Sequence, residues 1–252
     1  MRSERKVALV TGAGRGIGRA TALTLARRDI RVMAVARTED ELKAVASEAP
    51  IEYLIESVAT PGACRRIIEE TRARMGPINI LVNNAGIGLP EEPIWLQSRE
   101  VWDETLAVNL HGPFELTRLA VRDMIDQRWG RVVMVGSTAA EMAWPEMSAY
   151  CVSKHGLIGL MRAVAKDVAP YQVTCNAVNP GWVSTRMADE DADIEAEKRG
   201  ITADEVWAER LALYPEGRVV HPDEVAATIA FLASDEASGI NGESVRVALG
   251  RF

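Results

Sequence analysis

The stretch TGAGRGIG, from Thr11 to Gly18, follows an apolar run at 7–10 and leads into an amphipathic segment that begins near residue 17. This order predicts a β-strand, a glycine-rich turn and an α-helix. A helix N-terminus carries unpaired N–H groups and about half a positive charge, which favours a bound anion. Gly12, Gly16 and Gly18 keep side chains out of that position, so the turn is predicted to hold a pyrophosphate. The spacing G-x-x-x-G-x-G differs from the common G-x-G-x-x-G fingerprint, and a tight turn without a ligand is the alternative.

Composition and charge restrict the class of protein. The chain has 252 residues, of which 48% are hydrophobic, and a net charge of −7. This length and composition suit one α/β domain over 1–252, and the acidic balance argues against binding to nucleic acid. No run of about 18 apolar residues and no signal-peptide pattern is found, so we expect a cytoplasmic protein without membrane contact. Cys64, Cys151 and Cys175 are too widely spaced for a disulfide framework or a metal site, and we expect free thiols.

Strand-like and helix-like patterns alternate along the chain. Apolar runs predict strands at 6–10, 31–36, 51–58, 78–83, 131–136, 173–179 and 243–249. Amphipathic patterns predict helices at 19–28, 39–48, 62–75, 99–127, 148–168 and 222–233. Such alternation favours parallel strands joined by helical crossovers. The predicted fold is therefore a doubly wound, Rossmann-type parallel sheet of about seven strands with helices on both faces.

Polar and glycine residues follow several of these predicted strands directly. Gly12 follows the first strand, Asn84 the fourth, Ser137 the fifth, and Pro180-Gly181 the sixth. Ligands of doubly wound sheets bind at the carboxyl ends of the strands, near the switch point of the strand order. These residues are therefore predicted to meet around one cleft.

Six segments, in order along nearly the whole chain, resemble motifs of the short-chain dehydrogenase/reductase family, in its compact single-domain branch, which includes 3-oxoacyl reductases and related carbonyl reductases. The segments are TGAGRGIG at 11–18, NNAG at 83–86, Asn109 within VNLHG, Ser137, Tyr150-x-x-x-Lys154, and PGWVST at 180–185. The resemblance implies a nicotinamide cofactor and a small-molecule carbonyl or alcohol substrate. It also implies a homo-oligomer, either a homotetramer or a homodimer.

The resemblance also assigns cofactor contacts. It places Asn84 to Gly86 on the adenosine ribose side and Ile17, Val183 and Thr185 at the nicotinamide half. The full predicted set of cofactor-binding residues is Gly12, Arg15, Gly16, Ile17, Gly18, Arg37, Val58, Asn84, Ala85, Gly86, Tyr150, Lys154, Pro180, Gly181, Val183 and Thr185. Relatives usually have an aspartate after the third strand where this chain has Ser57 before Val58, so the contact to adenine is weaker or absent here.

Four residues are the predicted catalytic group. Tyr150 and Lys154 are four residues apart and share one helix face. A phenol has a reference pKa of about 10, and a nearby ammonium favours the phenolate. Tyr150 is therefore the predicted acid and base, Ser137 is predicted to hydrogen-bond the substrate oxygen, and Lys154 to hold the cofactor ribose. Asn109, predicted within a helix, is expected to hold a water that links Lys154 to solvent.

Cofactor choice depends on the end of the second strand. That strand ends in Ala36-Arg37, so no acid is present to bind the 2′-hydroxyl of NAD, and an arginine is available for the 2′-phosphate of NADP. Arg15 is a second candidate for this phosphate. NADP(H) is therefore preferred and NAD(H) remains possible. In the alternative, Thr38 and Glu41 form a capping box and Arg37 is only a solvated residue before a helix.

The predicted activity is NADP(H)-dependent interconversion of a ketone and a secondary alcohol. The alternatives are an NAD(H)-dependent alcohol dehydrogenase, a 3-oxoacyl thioester reductase and, more remotely, a dinucleotide-binding sensor without turnover. The segment at about 183–217 is the predicted substrate loop, and its acidic run at 188–199 is read as a solvated helix face. An apolar pocket is expected, with candidate walls at Trp95, Thr138, Met142, Trp144, Met147, Trp182, Met187 and Trp207.

Overall fold

The computed structural model describes residues 5–88 and 92–251. The strands are β1 Val7–Thr11, β2 Arg31–Ala36, β3 Ile51–Ile55, β4 Ile80–Asn83, β5 Gly130–Val135, β6 Val173–Pro180 and β7 Ser244–Val247. The helices are α1 Gly16–Arg27, α2 Glu39–Glu48, α3 Ala63–Met75, α4 Arg99–Leu106, α5 Gly112–Gln127, α6 Ser148–Val168, α7 Arg186–Arg199, α8 Ala203–Ala212 and α9 Pro222–Leu232.

All seven strands form one sheet in the order β3-β2-β1-β4-β5-β6-β7. Every neighbouring pair is parallel, from Val32 beside Ile51 in β2 and β3 to Val178 beside Val245 in β6 and β7. The strand order reverses between β1 and β4, which is the switch point where doubly wound folds bind their ligands. The predicted fold class is confirmed.

Helices cover both faces of the sheet because the strands alternate apolar side chains between two cores. Leu9 and Met134 face one core, which includes Ile67 of α3 and Leu157 of α6. The other core contains Val10, Val133 and Val178 together with apolar residues of α1, α2 and α9. Because helices bury both faces of the sheet, polar functional groups are expected at the ends of the strands.

Several predicted elements differ in detail. The helix predicted at 99–127 is interrupted by a π-helical turn at Ala107–His111, and β3 ends at Ile55 rather than near residue 58. The acidic run belongs to α7, whose Ala188, Ala192 and Ala196 are buried while most of its charged residues are exposed. That helix therefore buries a narrow stripe of small residues.

The three cysteines are free and buried, as expected. Within residues 5–88 and 92–251, no group of His, Cys, Asp and Glu is placed to hold a metal ion. Among the helices of those same residues, none is long and apolar enough to cross a membrane.

Candidate active site

The glycine-rich turn packs against its own helix and against the end of β4. Gly12 has a φ of +64°, and a Cβ there would lie 2.9 Å from Ala85 Cα. A Cβ on Gly18 would overlap the carbonyl oxygen of Gly12. No side chain caps the N-terminus of α1, where Arg15 is the N-cap residue. The first N–H groups of α1 are therefore available to an anion, and the turn fits a pyrophosphate.

Asn84 braces the turn. Its Nδ2 donates to the carbonyl oxygens of Thr11 at 2.8 Å and Gly12 at 3.1 Å. Thr11 Oγ1 in turn accepts from the backbone N–H groups of Asn84 and Ala85, both at 3.1 Å. These hydrogen bonds link the carboxyl end of β1 to that of β4. The Asn84 amide group therefore stabilises the turn, in addition to its predicted contact with the ribose.

Ser137 follows β5 and begins the short turn Thr138–Ala140. Its Oγ accepts from the backbone N–H of Ala139 at 3.1 Å. The preceding residue, Gly136, has no room for a side chain because its Cβ would overlap Asn179 Oδ1. The loop after β5 is thereby held against β6, and this contact fixes the place of the Ser137 hydroxyl.

Lys154 lies one helical turn after Tyr150 on α6, as the spacing predicts. Its Nζ lies 5.6 Å from the centre of the Tyr150 ring and donates to the Val135 carbonyl oxygen at 3.0 Å. The lysine is only 4% exposed, whereas Tyr150 is half-buried. Burial lowers the pKa of Lys154 from its ordinary value of 10.5 to about 8. The ammonium thus sits behind the phenol, shielded from bulk water.

Asn109 has a different environment from the one expected. It lies in the π-helical turn, and its Oδ1 accepts from the backbone N–H of Ile87 at 2.9 Å. Its Nδ2 donates to the Ile87 carbonyl oxygen at 2.9 Å and to Ser153 Oγ at 3.1 Å. The side chain is therefore occupied in holding the loop after β4 against α6. The π-helical turn is itself a kind of irregularity that is frequent at functional sites.

A cavity of about 690 Å³ opens beside Ser137 and Tyr150. The other predicted site residues that line this cavity are Ile17, Pro180, Gly181, Val183 and Thr185. The cavity therefore joins the start of α1, the loop after β5, α6 and the loop after β6 at the carboxyl edge of the sheet. The remaining predicted site residues do not line it: Gly12, Arg15, Gly16, Gly18, Arg37, Val58, Asn84, Ala85, Gly86, Asn109 and Lys154.

Gly86 and Val58 are predicted cofactor-binding residues that do not line the cavity, and their surroundings differ. A Cβ on Gly86 would lie 3.5 Å from both Lys154 Nζ and Asn109 Oδ1, so this glycine is next to the buried lysine. The Val58 side chain is 8% exposed and belongs to the core, while its carbonyl oxygen accepts from the Cys64 thiol at 3.3 Å. Any cofactor contact at Val58 would therefore come from its backbone.

The end of β2 carries charges of both signs. Arg37 is exposed and forms no ion pair with the described residues. The predicted capping box is wrong, because the Thr38 side chain makes no capping hydrogen bond to α2, but Arg37 does lie exposed just before that helix. Glu41 instead packs on the glycine turn, where a Cβ on Gly14 would lie 2.8 Å from Glu41 Oε2. The Glu41 carboxylate therefore lies close to the predicted position of the adenosine ribose.

The wall of the cavity is more polar than expected. Trp144, Trp182 and Met187 line it, as predicted, together with Thr138 and Met147. Met142, Trp95 and Trp207 do not line it, and Trp95 is 80% exposed. Charged residues also form the wall, namely Glu146, Glu190, Asp191, Glu195, Lys198, Arg199, Arg210 and Arg251. The cavity therefore combines the expected apolar walls with a charged part, most of it on α7, that the sequence analysis did not predict.

Arg210 is the buried centre of that charged wall. It is 6% exposed, and its Nη2 lies 2.5 Å from Asp191 Oδ2 and 2.7 Å from Glu195 Oε2. Its Cζ lies 3.8 Å from the centre of a Trp182 ring and 5.3 Å from that of Trp207. One side chain of α8 thus holds α7 and the loop after β6. The sequence gives no local signal for it, since its partners come from three separate segments.

Glu141 is a second residue that sequence reasoning missed. It accepts hydrogen bonds from Asn179 Nδ2 at 2.8 Å, Ser244 Oγ at 3.3 Å and the Arg246 guanidinium. Burial acts to raise the pKa of Glu141, but the hydrogen bonds from Arg246 and Asn179 outweigh it and hold the pKa below its usual value. The loop that carries Ser137 is thereby fastened to the edge strand β7.

Comparison with known proteins agrees with this geometry. Residues 6–196 match the family model described as short chain dehydrogenase. The 3-oxoacyl-[acyl-carrier-protein] reductase FabG of Escherichia coli (strain K12) is 37% identical over 254 residues, covering 100% of this chain and 99% of that protein. The reductase of the same name from Thermotoga maritima is 35% identical over 252 residues, covering 98% of each.

Two solved structures share the fold over nearly their whole length. A variant of the actinorhodin polyketide ketoreductase with NADPH has a TM-score of 0.94 at 30% identity, covering 99% of this chain and 98% of that one. Levodione reductase has a TM-score of 0.92 at 29% identity, with 97% and 96% covered. Sequence motifs, fold and relatives agree, and the chain belongs to the short-chain dehydrogenase family, as an NAD(P)-dependent oxidoreductase that acts on CH–OH or C=O groups.

Proposed function

We propose that this protein reduces a ketone to a secondary alcohol with NADPH, and that Tyr150 is the proton donor. The observation that carries the proposal is that Tyr150 and Ser137 line one cavity together with Ile17, Val183 and Thr185. A substrate carbonyl within hydrogen-bond reach of the two hydroxyls would have its carbon open to the nicotinamide side of the cavity. Hydride then comes from the cofactor, and the protein supplies orientation and a proton.

Lys154 and Asn109 support this step from behind the cavity. The ammonium of Lys154, 5.6 Å from the Tyr150 ring centre, favours the phenolate that remains after proton transfer. Lys154 is buried and donates to the Val135 carbonyl oxygen, and these contacts hold its side chain in place. Asn109 fixes the loop that carries Gly86 beside the ammonium, and the backbone of its π-helical turn is the proposed place for a water that returns the proton.

The residues of the glycine turn would hold the cofactor. Its pyrophosphate would accept from the uncapped N–H groups at the start of α1, and Lys154 would reach the nicotinamide ribose. Arg37 supports a preference for NADPH because it is exposed and pairs with no carboxylate of the described chain. The relative solved with NADPH supports the same choice. Glu41 opposes it, so we expect the preference to depend on Arg37 and Arg15 together.

A 3-oxoacyl thioester is the second candidate substrate. Relatives at 37% identity over the whole chain carry the name 3-oxoacyl-[acyl-carrier-protein] reductase. The same hydroxyls would serve this reaction, since the 3-oxo group is also a ketone. Substrate choice therefore depends on the cavity wall and not on the catalytic residues.

The test is a panel of ketones, oxo acids and 3-oxoacyl thioesters, followed by the absorbance of the reduced nicotinamide with NADPH and with NADH. We expect oxidation of NADPH by at least one class and a higher kcat/KM with NADPH than with NADH. Activity confined to NADH would contradict the cofactor proposal. Tight NADPH binding without oxidation by any class would favour a dinucleotide-binding sensor.

A further inference from the structure

Four cations line the wall of the active-site cavity, and three of them are neutralised. The pairs are Lys198 with Glu146 at 3.5 Å, Arg199 with Glu209 at 2.7 Å, and Arg210 with Asp191 at 2.5 Å. Arg251 is the fourth, and it pairs with no carboxylate of the described residues. Glu195 also pairs with Arg210, and Glu190 pairs with Arg186, so each of the four carboxylates of this wall has a cationic partner and the Arg251 guanidinium is left for a ligand.

Aromatic rings hold Arg251 in place. Its Cζ lies 5.4 Å from the centre of a Trp144 ring and 5.5 Å from that of Tyr214. Contact with ring faces orients a guanidinium without cancelling its charge. Tyr214 is itself fixed, because it is 3% exposed and its hydroxyl accepts from the Trp182 backbone N–H at 2.6 Å. The N–H groups of Arg251 are thus pre-oriented in a wall of the cavity.

We propose that Arg251 binds a carboxylate of the substrate, so that the preferred substrates are ketones that carry a free carboxyl group. This inference rests on the proposed function. The planar fork of a guanidinium matches the two oxygens of a carboxylate. Arg251 contacts Trp144, which belongs to the loop between Ser137 and Tyr150. The anionic group and the reacting carbonyl would therefore occupy the same cavity of about 690 Å³.

A phosphate on a long pantetheine arm is the other anion that a guanidinium could take. It would be separated from the carbonyl by the length of that arm, whereas Arg251 lines the cavity that holds Ser137 and Tyr150. A carboxylate on a short chain fits this placement better. The experiment therefore tests oxo acids and a pantetheine thioester separately, which distinguishes the carboxylate from the phosphate.

The experiment compares oxo acids of increasing chain length with their methyl esters, using NADPH and the full-length enzyme. We expect the best acid to exceed its ester in kcat/KM by about ten- to a hundredfold, chiefly through KM, because a charge-assisted hydrogen bond is lost in the ester. Arg251→Gln should remove this difference, because it should lower kcat/KM for the acid far more than for the ester. Arg251→Lys should restore part of it, since the charge remains but the fork is lost.

Arg74→Gln is the matched control, because Arg74 pairs with Glu70 on the surface of α3 and does not line the cavity. It should leave the preference for the acid intact. Equal kcat/KM for acid and ester in the parent would overturn the inference, as would an equal loss for both in Arg251→Gln. If Arg251→Gln lowers kcat/KM only for a pantetheine thioester, Arg251 binds the phosphate of that arm. This result would also overturn the inference. Oxidation of NADPH by no carbonyl compound would instead refute the proposed function.

Discussion

Tyr150 and Lys154 differ in exposure although they share a helix. Tyr150 is half-buried and lines the cavity, whereas Lys154 is 4% exposed and lies behind it. In the proposed reaction, the substrate would meet the phenol, and the ammonium would act on the substrate only through the phenol and the cofactor. This division of tasks leads to two predictions at the level of single residues.

Tyr150→Phe should lower kcat by about 10²- to 10⁴-fold, because the ring remains while the proton donor is lost. NADPH affinity, measured by fluorescence titration, should change little. Tyr171→Phe is the control, since Tyr171 is 37% exposed and does not line the cavity. Near-normal turnover in Tyr150→Phe on a ketone that the parent reduces would show that the proton comes from another group.

Lys154→Met should change the pH dependence of stability in the cofactor-free protein. The pKa of Lys154 is about 8 in the folded protein and near 10.5 when exposed, so the unfolded chain binds more protons between these values. Burial of the charged lysine therefore costs free energy of folding below about pH 8, and this cost decreases as pH rises across the window. From pH 7.5 to 9.5, we expect the parent to gain about 2 kcal/mol in free energy of unfolding relative to the variant.

Chemical denaturation at the two pH values measures this difference. A constant difference between parent and variant would mean that Lys154 has an ordinary pKa in the fold. The same variant should also bind NADPH more weakly, because the proposed ribose contact is lost.

At the level of secondary-structure elements, α7 and α8 form one side of the cavity and are joined by a small apolar cluster and by one buried cation. Arg210 on α8 reaches Asp191 and Glu195 on α7 and stacks on Trp182 after β6. The two carboxylates are partly exposed, with side chains 34% and 38% accessible, so solvent moderates the cost of removing their partner. The pair of helices is therefore held less firmly than the sheet beneath it.

Arg210→Met should loosen this side of the cavity by about 1–2 kcal/mol, because two carboxylates lose a buried partner. Hydrogen exchange should become faster in α7 and α8 and stay unchanged in β1 and β5. We expect a higher KM for substrate with a smaller change in NADPH affinity. Arg118→Met is the control, since Arg118 forms an exposed ion pair with Glu115 on α5 and does not line the cavity. Unchanged exchange in α7 would show that the apolar stripe, rather than Arg210, holds this helix.

At the level of the whole molecule, the proposed cofactor site extends along the carboxyl edge of the sheet. It runs from Arg37 after β2, past the glycine turn after β1, to Thr185 after β6. A ligand that binds only the folded state raises the free energy of unfolding of the domain, and at equal concentration the tighter ligand raises it more. Thermal unfolding therefore reports cofactor choice without a substrate.

NADPH should raise Tm more than NADH does at the same concentration. The double substitution Arg15→Ala and Arg37→Ala should weaken NADPH binding by about ten- to a hundredfold and remove most of this difference, since charge-assisted hydrogen bonds to the 2′-phosphate are lost. Glu41→Gln should increase the difference, because its carboxylate lies beside the glycine turn. A larger increase of Tm with NADH in the parent would assign the enzyme to NAD(H).

Local patterns were sufficient for much of this architecture. Alternating strand and helix periodicity predicted the parallel sheet, and the positions of Gly12, Ser137 and Pro180 after strands predicted a cleft at one edge. The four-residue spacing of Tyr150 and Lys154 predicted a shared face. These features follow from backbone geometry over a few residues, so a single sequence reveals them.

The remaining features depend on contacts between distant segments. Asn109 in the π-helical turn pairs with the distant backbone of Ile87, and Glu41 packs on Gly14 instead of capping its own helix. Arg210, Glu141 and Arg251 have partners tens of residues away or more, and the charged cavity wall arises only when α7, α8 and the C-terminal segment meet. Packing and ion pairing across such separations leave no periodic signal in the chain, because each depends on which surfaces the folded sheet brings together.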